Sequence, residues 1–323
     1  MKILVVKLSS MGDVLHALPT VAAIRRQTDA EIHWAVHPPF AGLVRMFRCV
    51  DHIVEIPRHG DLADHRSTLR HLRENAYDIA LDLQGLFKSA LVTRLARASR
   101  RIGPPFHREF SRLFYNDAPP LVRPRRHAVE ECLDVLPLLG LSRPETPEFP
   151  IQTPDLDLPD TDAFRVAIAP LSRWETKNWP LERFAETARR LHAEHRAELH
   201  ILGGAGDRDA AEELHRLAGV PMRNHCGEFD IPHSCALLAR MDCLVTNDSG
   251  PMHLAAAMGT PCVAVFGPTI PTRTGPYGTI HTVLRSGVCS PCRKRTCRRG
   301  DLRCMMSVSP DQALEAILLH LRR

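Results

Sequence analysis

The alternation of strand and helix patterns, repeated in both halves of the chain, most strongly limits the folds open to this sequence. In the first half, helical patterns separate four apolar β-rich runs, MKILVVKL, EIHWAVHP, HIVEIP and YDIALDLQ. The second half repeats the scheme with VAIAP, ELHILGG, CLVTND and CVAVFG. Strands that alternate with helices form parallel sheets with helices on both faces. The sequence therefore predicts an α/β protein with two Rossmann-like, doubly wound domains.

A segment rich in proline and aspartate, RPETPEFPIQTPDLDLPDTD, separates the two halves. It is too polar, and too often interrupted by proline, to form a helix or a buried strand. We therefore predict one domain over residues 1–155 and a second over residues 160–323. In two such domains facing a central cleft, ligands are expected at the carboxyl ends of the strands, with the chemistry between the domains.

The overall charge is mildly positive, with a net charge of +5 at neutral pH. This balance argues against a dedicated duplex-DNA binder and suits acidic small molecules or an anionic surface. The sequence has no apolar run of the roughly 18 residues that a membrane span needs. The start, MKILVVKLSSMGD, is typical of a first strand rather than a signal peptide. We expect a cytoplasmic protein whose cysteines are reduced.

The segment TNDSGPMHLAAAMGTP in the second half predicts the end of a strand, a short loop and the start of a helix. Pro251 lies where the first helical residue belongs. Free N–H groups and the dipole of such a helix favour an anion, so the loop of Asp248, Ser249 and Gly250 could cradle a pyrophosphate. The simpler alternative is a capped helix with Asp248 or Ser249 as the N-cap. For Asp248 we expect a role in fixing the loop or binding a sugar hydroxyl.

Two further loops of the second half carry residues of chemical interest. ILGGAGD, at 201–207, is a strand followed by a glycine-rich turn that lacks the full dinucleotide-binding spacing. Contact with a nucleotide and a simple tight turn both fit this loop. APLSRWETKNWP places Thr176 and Lys177 after the first strand of the second domain. A lysine there could neutralise a leaving diphosphate, and the alternative is a solvated loop lysine.

The first half has its own loop of this kind in KLSSMGDVLHALP, where Asp13 lies at the start of a helix. An aspartate in a first helical turn is by default a cap that complements the helix dipole. The same position would let the carboxylate take a proton from an acceptor hydroxyl. From these residues alone both interpretations stay open. Pro19 predicts a kink, or the start of a second helical segment.

Several segments together resemble a known family over nearly the whole chain. KLSSMGDVLHALP, YDIALDLQGLFKSALVTRLA, RLFYN, HAVEE, TKNWP and NDSGPMHLAAAMGTPCVAVFGPT are similar to segments of the ADP-heptose:lipopolysaccharide heptosyltransferases of glycosyltransferase family 9. The first-domain segments are most similar to heptosyltransferase I members, which add the first heptose to Kdo on lipid A. The resemblance implies an inverting GT-B enzyme that transfers L-glycero-D-manno-heptose from ADP-heptose and requires no cofactor.

The resemblance also implies partners and residue roles. Asp13 would be the general base, and Lys177 would contact the diphosphate. The residues implied to line the reaction centre or surround the donor are Ser9, Ser10, Gly12, Thr176, Asp248, Ser249, Gly250 and His253. The implied partners are ADP-heptose, a Kdo-lipid A or core oligosaccharide acceptor and the cytoplasmic face of the inner membrane, with no nucleic acid. The one clean Asp-x-Asp motif, at 155–157, falls in the linker, in agreement with metal independence.

Four cysteines in the basic stretch CSPCRKRTCRRGDLRC depart from the heptosyltransferase I pattern and resemble the tail of second-heptose and related members. They are Cys289, Cys292, Cys297 and Cys304. Thiolates at such short spacing could hold a zinc ion. The alternative is that family members share these cysteines without binding a metal. The acceptor therefore stays open between the first heptose step, a later core heptose and a protein. Outside enzymes, the alternative is an ADP-sugar-binding protein without turnover.

Arginines are concentrated in the first half, where the family binds its acceptor. They are Arg100, Arg101, Arg108, Arg112, Arg123, Arg125 and Arg126. Guanidinium groups suit the phosphates and carboxylates of lipid A and Kdo. An ordinary arginine-rich surface is the alternative for each residue alone, while together they favour approach to an anionic membrane.

Overall fold

The computed structural model of the protein describes residues 1–58, 62–120 and 126–321, and only the backbone of residues 62–65. Arg123 and Arg125 lie outside the described residues. The chain divides into two compact units, unit 1 (Met1–Gln152) and unit 2 (Thr153–Arg323). Each unit has a hydrophobic core of its own.

Unit 1 is built on a five-stranded parallel sheet with the strand order β3-β2-β1-β4-β5. The strands are β1 (Lys2–Val6), β2 (Glu31–Val36), β3 (His52–Glu55), β4 (Ile79–Asp82) and β5 (Arg100–Ile102). The helices are α1 (Met11–Gln27), α2 (Ala41–Arg45), α3 (Leu62–Glu74), α4 (Phe87–Leu95) and α5 (Ala128–Leu133). The direction of strand addition reverses between β1 and β4, as in a Rossmann half.

Helix α1 of unit 1 is buried over most of its surface. Its buried residues run from Val14 to Ile24 without interruption, which explains why this segment reads as apolar rather than amphipathic. Pro19 lies inside α1 and does not begin a second helical segment. The helix begins directly after the loop that follows β1, so burial of α1 holds Asp13 at the carboxyl edge of the sheet.

Unit 2 is built on a six-stranded parallel sheet with the strand order β11-β10-β9-β6-β7-β8. The strands are β6 (Arg165–Ala169), β7 (Glu198–Ile201), β8 (Arg223–Asn224), β9 (Cys243–Asn247), β10 (Cys262–Phe266) and β11 (Thr282–Arg285). The helices are α6 (Leu181–His195), α7 (Arg208–Ala218), α8 (Ile231–Ala239), α9 (Gly250–Met258), α10 (Pro271–Thr274), α11 (Arg303–Met306) and α12 (Pro310–Leu321). The direction of strand addition reverses between β6 and β9. The prediction of two parallel-sheet α/β units is confirmed.

The reversal points decide where ligands can bind in sheets of this kind. Where the strand order reverses, neighbouring loops leave to opposite faces of the sheet and open a crevice at its carboxyl edge. In unit 1 this crevice lies after β1 and β4, and in unit 2 it lies after β6 and β9. The loops singled out around Asp13, Lys177 and Asp248 follow three of these four strands.

Among the residues that the structure describes, no helix is both long enough and apolar enough to cross a bilayer.

Candidate active site

The start of α9 gives unit 2 a helix N-terminus at its strand reversal. Ser249 is the N-cap residue, with an extended backbone, but its side chain does not cap the helix. Instead, the Ser249 hydroxyl lies 3.1 Å from that of Thr246. Helix α9 begins at Gly250, and His253 lies half-buried in its first turns. Pro251 has no N–H, so Gly250 and Met252 carry the N–H groups of the first three helical positions, and the Ser249 side chain caps neither of them. Such N–H groups at a helix start can donate to an anion.

Lys177 and Asp248 form an ion pair at the same place. They are 71 residues apart in the chain, and the neighbouring strands β6 and β9 bring their loops together. The distance from Lys177 Nζ to Asp248 Oδ2 is 2.7 Å, and the Asp248 side chain is only 6% exposed. Thr269 Oγ1 donates a second hydrogen bond of 2.6 Å to the same carboxylate oxygen. Asp248 therefore joins its own loop to the loops of Lys177 and Thr269. Of the two roles expected for Asp248, these contacts match the fixing of the loop.

The ammonium group of Lys177 also lies over an aromatic ring. The distance from Nζ to the centroid of the Trp174 ring is 4.7 Å, and the Arg295 guanidinium lies 5.3 Å from the same centroid. Such contacts orient a cation without neutralising its charge. The solvated-lysine alternative is wrong, because the Lys177 side chain is only 17% exposed.

The loop that carries Lys177 is held by hydrogen bonds along its length. Asn178 Oδ1 accepts from the backbone N–H and the hydroxyl of Ser172, at 2.8 and 2.9 Å. Asn247 at the end of β9 accepts from the Trp179 N–H at 2.9 Å. Thr176 is buried, and its hydroxyl donates to the Lys294 carbonyl at 2.8 Å. Thr176 thus fixes the loop to the C-terminal basic stretch.

The Trp179 side chain anchors this loop in the core of unit 2. It is 1% exposed, packs edge-on against Phe184 and donates its indole N–H to the Val308 carbonyl at 3.0 Å. The loop therefore has a fixed end two residues after Lys177.

In unit 1, Asp13 has the geometry of a capping residue. Its Oδ2 atom accepts from the Ser10 backbone N–H at 3.0 Å and from the Ser10 hydroxyl at 2.7 Å. Ser9 and Ser10 are half-buried, and Gly12 is buried in the first turn of α1. Asp13 itself is exposed, so a substrate can reach its carboxylate. The cap interpretation is thus correct for the resting protein, and it is compatible with a second role as base.

Two residues that we did not single out for a role lie beside this loop. Lys7 is buried, donates to the Leu83 carbonyl at 2.6 Å and lies 5.7 Å from the centre of the Phe106 ring. Gln84 Oε1 accepts from the Leu8 backbone N–H at 2.7 Å. Both bonds join the loops after β1 and β4 at the reversal point of unit 1. The scarcity of lysine in this arginine-rich chain is the one sequence signal that marks Lys7.

Asp82, the last residue of β4, organises the second of these loops. Its Oδ1 atom accepts from the N–H groups of Gln84 and Gly85, and Oδ2 accepts from the Tyr115 hydroxyl at 2.7 Å. Complete burial raises the pKa of the Asp82 carboxyl, while these hydrogen bonds oppose the shift. A side chain so enclosed supports the loop rather than reacting with a substrate.

The glycine-rich turn ILGGAGD has a packing reason for its first glycine. A Cβ atom at Gly203 would lie 2.8 Å from the sulfur of Cys226 and 2.9 Å from Asp207. The Asp207 carboxylate accepts from the Gly204 N–H at 2.8 Å. These contacts are those of a tight turn, and contact with a nucleotide stays a prediction.

The four C-terminal cysteines do not form a zinc site in the structure. No three of their sulfur atoms lie within 4.8 Å of one another. Their environments also differ, since burial raises the pKa of Cys304 whereas hydrogen bonds from backbone groups of Leu302 and Arg299 lower that of Cys297. Cys304 packs against Gly267, where a Cβ atom would lie 2.9 Å from its sulfur. The geometry thus gives no support to the zinc interpretation.

Of the seven arginines singled out in the first half, most of those that the structure describes make contacts within unit 1. Arg100 pairs with Asp117 at 2.6 Å, Arg101 donates to the Phe114 carbonyl at 3.0 Å, and Arg126 pairs with Asp134. Contacts within unit 1 thus account for these three arginines, and contact of the set with an anionic acceptor or membrane stays a prediction. Arg112 is exposed but also donates to the Tyr115 carbonyl at 3.0 Å, and Arg108 is exposed.

Comparison with solved structures defines the class of protein. E. coli heptosyltransferase WaaC with ADP superposes with a TM-score of 0.84 and 25% identity, over 99% of this chain and 100% of that one. Two parallel-sheet α/β units with candidate sites at their strand reversals are the architecture of a GT-B glycosyltransferase, as predicted.

Comparison of sequences then gives the family. The model of "Glycosyltransferase family 9 (heptosyltransferase)" matches residues 65–302. Lipopolysaccharide heptosyltransferase 1 of Pseudomonas aeruginosa is 30% identical, over 92% of this chain and 87% of its own. Lipopolysaccharide heptosyltransferase 2 of Salmonella typhimurium is 28% identical, over 98% of this chain and 97% of its own. The chain belongs to glycosyltransferase family 9, the heptosyltransferases, and is an enzyme, as the sequence motifs predicted.

Proposed function

We propose that this enzyme transfers L-glycero-D-manno-heptose from ADP-heptose to a Kdo residue of the lipopolysaccharide inner core, with inversion at the anomeric carbon. The observation that carries the donor assignment is the Lys177–Asp248 pair beside the N-terminus of α9. A lysine and the N-terminus of a helix at one strand reversal suit a diphosphate. The solved relative WaaC, which binds ADP, supports the same choice.

The proposed reaction divides the roles between residues of the two units. Asp13 removes the proton from the acceptor hydroxyl as that oxygen forms a bond to the anomeric carbon. The bond from this carbon to the diphosphate breaks, and Lys177 with the first N–H groups of α9 stabilises the charge that develops on departing ADP. Ser10 holds the Asp13 carboxylate in place. Asp248, Ser249, Gly250 and His253 surround the donor in this proposal.

A second candidate is transfer to a heptose that is already attached to Kdo. It is favoured by the match to lipopolysaccharide heptosyltransferase 2 over nearly the whole chain, and by the cysteine-containing tail. Incubation with ADP-heptose and either Kdo2-lipid A or heptosyl-Kdo2-lipid A, followed by product mass, separates the two. A one-heptose mass gain on Kdo2-lipid A alone is expected. A gain on the heptosylated acceptor alone assigns the later step, and no gain on either contradicts both.

We further propose that unit 1 docks on the anionic cytoplasmic face of the inner membrane. Two exposed apolar residues support this proposal, Phe110 at 84% and Leu113 at 82% exposure. Together with the exposed Phe87 and Leu91 of α4 they form a surface that we call the apolar patch. The ring of Phe87 packs edge-on against that of Phe114, which joins α4 to the segment of Phe110 and Leu113.

Cationic side chains flank the apolar patch. Lys88, Arg108 and Arg112 are exposed and adjacent in sequence to its members. Apolar groups that enter the headgroup region, beside cations that attract anionic lipid, are the usual combination of peripheral membrane proteins. The lipid-linked acceptor makes such docking useful, because its reacting sugar lies at the membrane surface.

The double variant Phe110→Ser/Leu113→Ser tests the apolar patch. We expect its partitioning onto vesicles that contain phosphatidylglycerol to fall at least about tenfold, since burying one such side chain contributes about 1.5–3 kcal/mol and 1.4 kcal/mol is tenfold. Co-sedimentation with the vesicles measures this. Leu319→Ser, at an exposed leucine of unit 2, is the matched control and should bind as the parent does. Equal binding by the double variant and the parent would exclude the patch.

A further inference from the structure

Two histidines and a glutamate meet at the edge of the unit 1 sheet opposite the Asp13 loop. Glu31 is the first residue of β2, and His33 follows two residues later, on the same face of the sheet. His52 is the first residue of β3 and lies opposite His33 in the strand register. Pairing of β2 with β3 therefore brings the three side chains together at the amino-terminal edge. None of them takes part in the proposed transfer reaction.

The distances within this cluster match those between ligands of one metal ion. Glu31 Oε1 lies 2.8 Å from His33 Nε2 and 3.5 Å from His52 Nε2. All three atoms lie within 4.8 Å of one another. Among the described residues, no other set of three histidine, cysteine or carboxylate side chains meets this distance criterion. Ligand atoms of a tetrahedral zinc ion, with bonds of about 2.0–2.1 Å, lie about 3.3 Å apart. Small side-chain rotations would suffice to close the site.

The ring of His33 is oriented by a buried partner. Its Nδ1 atom lies 3.0 Å from the hydroxyl of Tyr77, and both side chains are buried. This bond directs Nε2 toward Glu31 and His52. Histidine ligands are usually held in this way through the second ring nitrogen. The side chains of His52 and Glu31 are 60% and 43% exposed, so an ion can enter from solvent.

The charged groups around the cluster leave room for a cation. Lys2 Nζ lies 3.5 Å from Glu31 Oε1, and it lies 3.5 Å from Asn75 Oδ1. An ion bound to Glu31 would displace the ammonium group, which keeps Asn75 as a partner. Asp51, the neighbour of His52, is already engaged, since its carboxylate pairs with Arg25 and accepts from the Ile32 N–H.

We propose that Glu31, His33 and His52 bind one divalent transition-metal ion, with water completing its coordination. Two imidazole nitrogens and one carboxylate favour ions such as Zn²⁺, Co²⁺ and Ni²⁺ over Mg²⁺ and Ca²⁺. The ion would add a bridge between the amino-terminal ends of β2 and β3, beside their backbone ladder and the bond from the Ile32 N–H to Asp51. Its role is to stabilise unit 1, because the cluster lies at the sheet edge remote from Asp13.

Calorimetric titration with Co²⁺ tests this site. So that exposed C-terminal thiols cannot contribute to the titration signal, the parent for the test carries Cys292→Ser and Cys297→Ser. We expect it to bind one ion per chain. His52→Ala should weaken binding by more than about 100-fold, because even loss of an outer hydrogen-bond partner costs about 10- to 100-fold. His71→Ala, at an exposed histidine of α3, is the matched control and should bind as the parent does.

Thermal unfolding with Zn²⁺ gives the second measurement on the same proteins. Zn²⁺ should raise the melting temperature of the parent and of His71→Ala, and should leave that of His52→Ala unchanged. Glu31→Gln, which keeps the side-chain size, should behave as His52→Ala does. Absence of Co²⁺ binding by the parent, or equal affinity in the parent and His52→Ala, would overturn the proposal. An equal Zn²⁺ shift in all variants would do the same, because the ion would then bind elsewhere.

Discussion

The variant Asp13→Asn is expected to lower the rate of heptosyl transfer by about 100-fold or more while the protein stays folded. An asparagine oxygen can accept the two hydrogen bonds that Ser10 donates to Asp13, so the start of α1 keeps its cap. The amide cannot accept the proton of the acceptor hydroxyl. The turnover number at saturating donor and acceptor measures the effect. Melting temperature and ADP affinity should match those of the parent.

The control for this variant is Asp230→Asn. Asp230 is the N-cap of α8, where its Oδ1 atom accepts from the His233 N–H at 2.9 Å. This substitution also removes one negative charge at a helix start, but away from both strand reversals, and should leave turnover unchanged. If Asp13→Asn transfers heptose within a few-fold of the parent, Asp13 is a helix cap only and the proposed mechanism fails.

The variant Lys177→Ala is expected to lower the turnover number on the order of 10- to 1000-fold, because it removes the cation that, in the proposed reaction, meets the charge developing on departing ADP. It also leaves the buried Asp248 carboxylate without its ion pair, which costs on the order of 3 kcal/mol of unfolding free energy. Turnover at saturating donor and chemical denaturation measure the two effects separately.

The double variant Lys177→Ala/Asp248→Asn separates catalysis from stability. A neutral amide in place of the carboxylate removes the unpaired buried charge, so unfolding free energy should recover toward that of the parent. Turnover should stay low, since the cation is still missing. Recovery of turnover together with stability would mean that Lys177 serves only to pair with Asp248, contrary to the proposed role.

The sequence allows the central strands of both sheets to be predicted, but not all of the edge strands. β4, β6 and β9 lie inside the sheets and are buried at every residue, and β1 is buried after Lys2, so these strands appear as mainly apolar runs. The strands that were not predicted are β5, β8 and β11, and each lies at an edge of its sheet. β5 begins with two arginines, and β8 is exposed. A strand with one neighbour needs few apolar residues and therefore leaves little pattern.

The loops of the candidate site could be predicted, whereas their contacts could not. Pro251 and the residues before it mark the start of α9 by local chemistry alone. The pairing of Lys177 with Asp248 depends on the register of β6 against β9, which places Ala169 beside Thr246. Lys7 was missed because a buried lysine at a strand end looks like a surface lysine in the sequence. Its partner, the Leu83 carbonyl, carries no side-chain signal.

The anchoring of the Lys177 loop has a consequence for the affinity of the donor. Asn247 and Asn178 fix the two sides of this loop, and Trp179 fixes its end to the Val308 carbonyl. Ordering a free loop residue costs about 1–2 kcal/mol of conformational entropy, and a ligand that had to order several would bind far more weakly. Here folding of unit 2 has already ordered them, so in the proposed reaction the diphosphate meets a lysine whose position was fixed before it arrived.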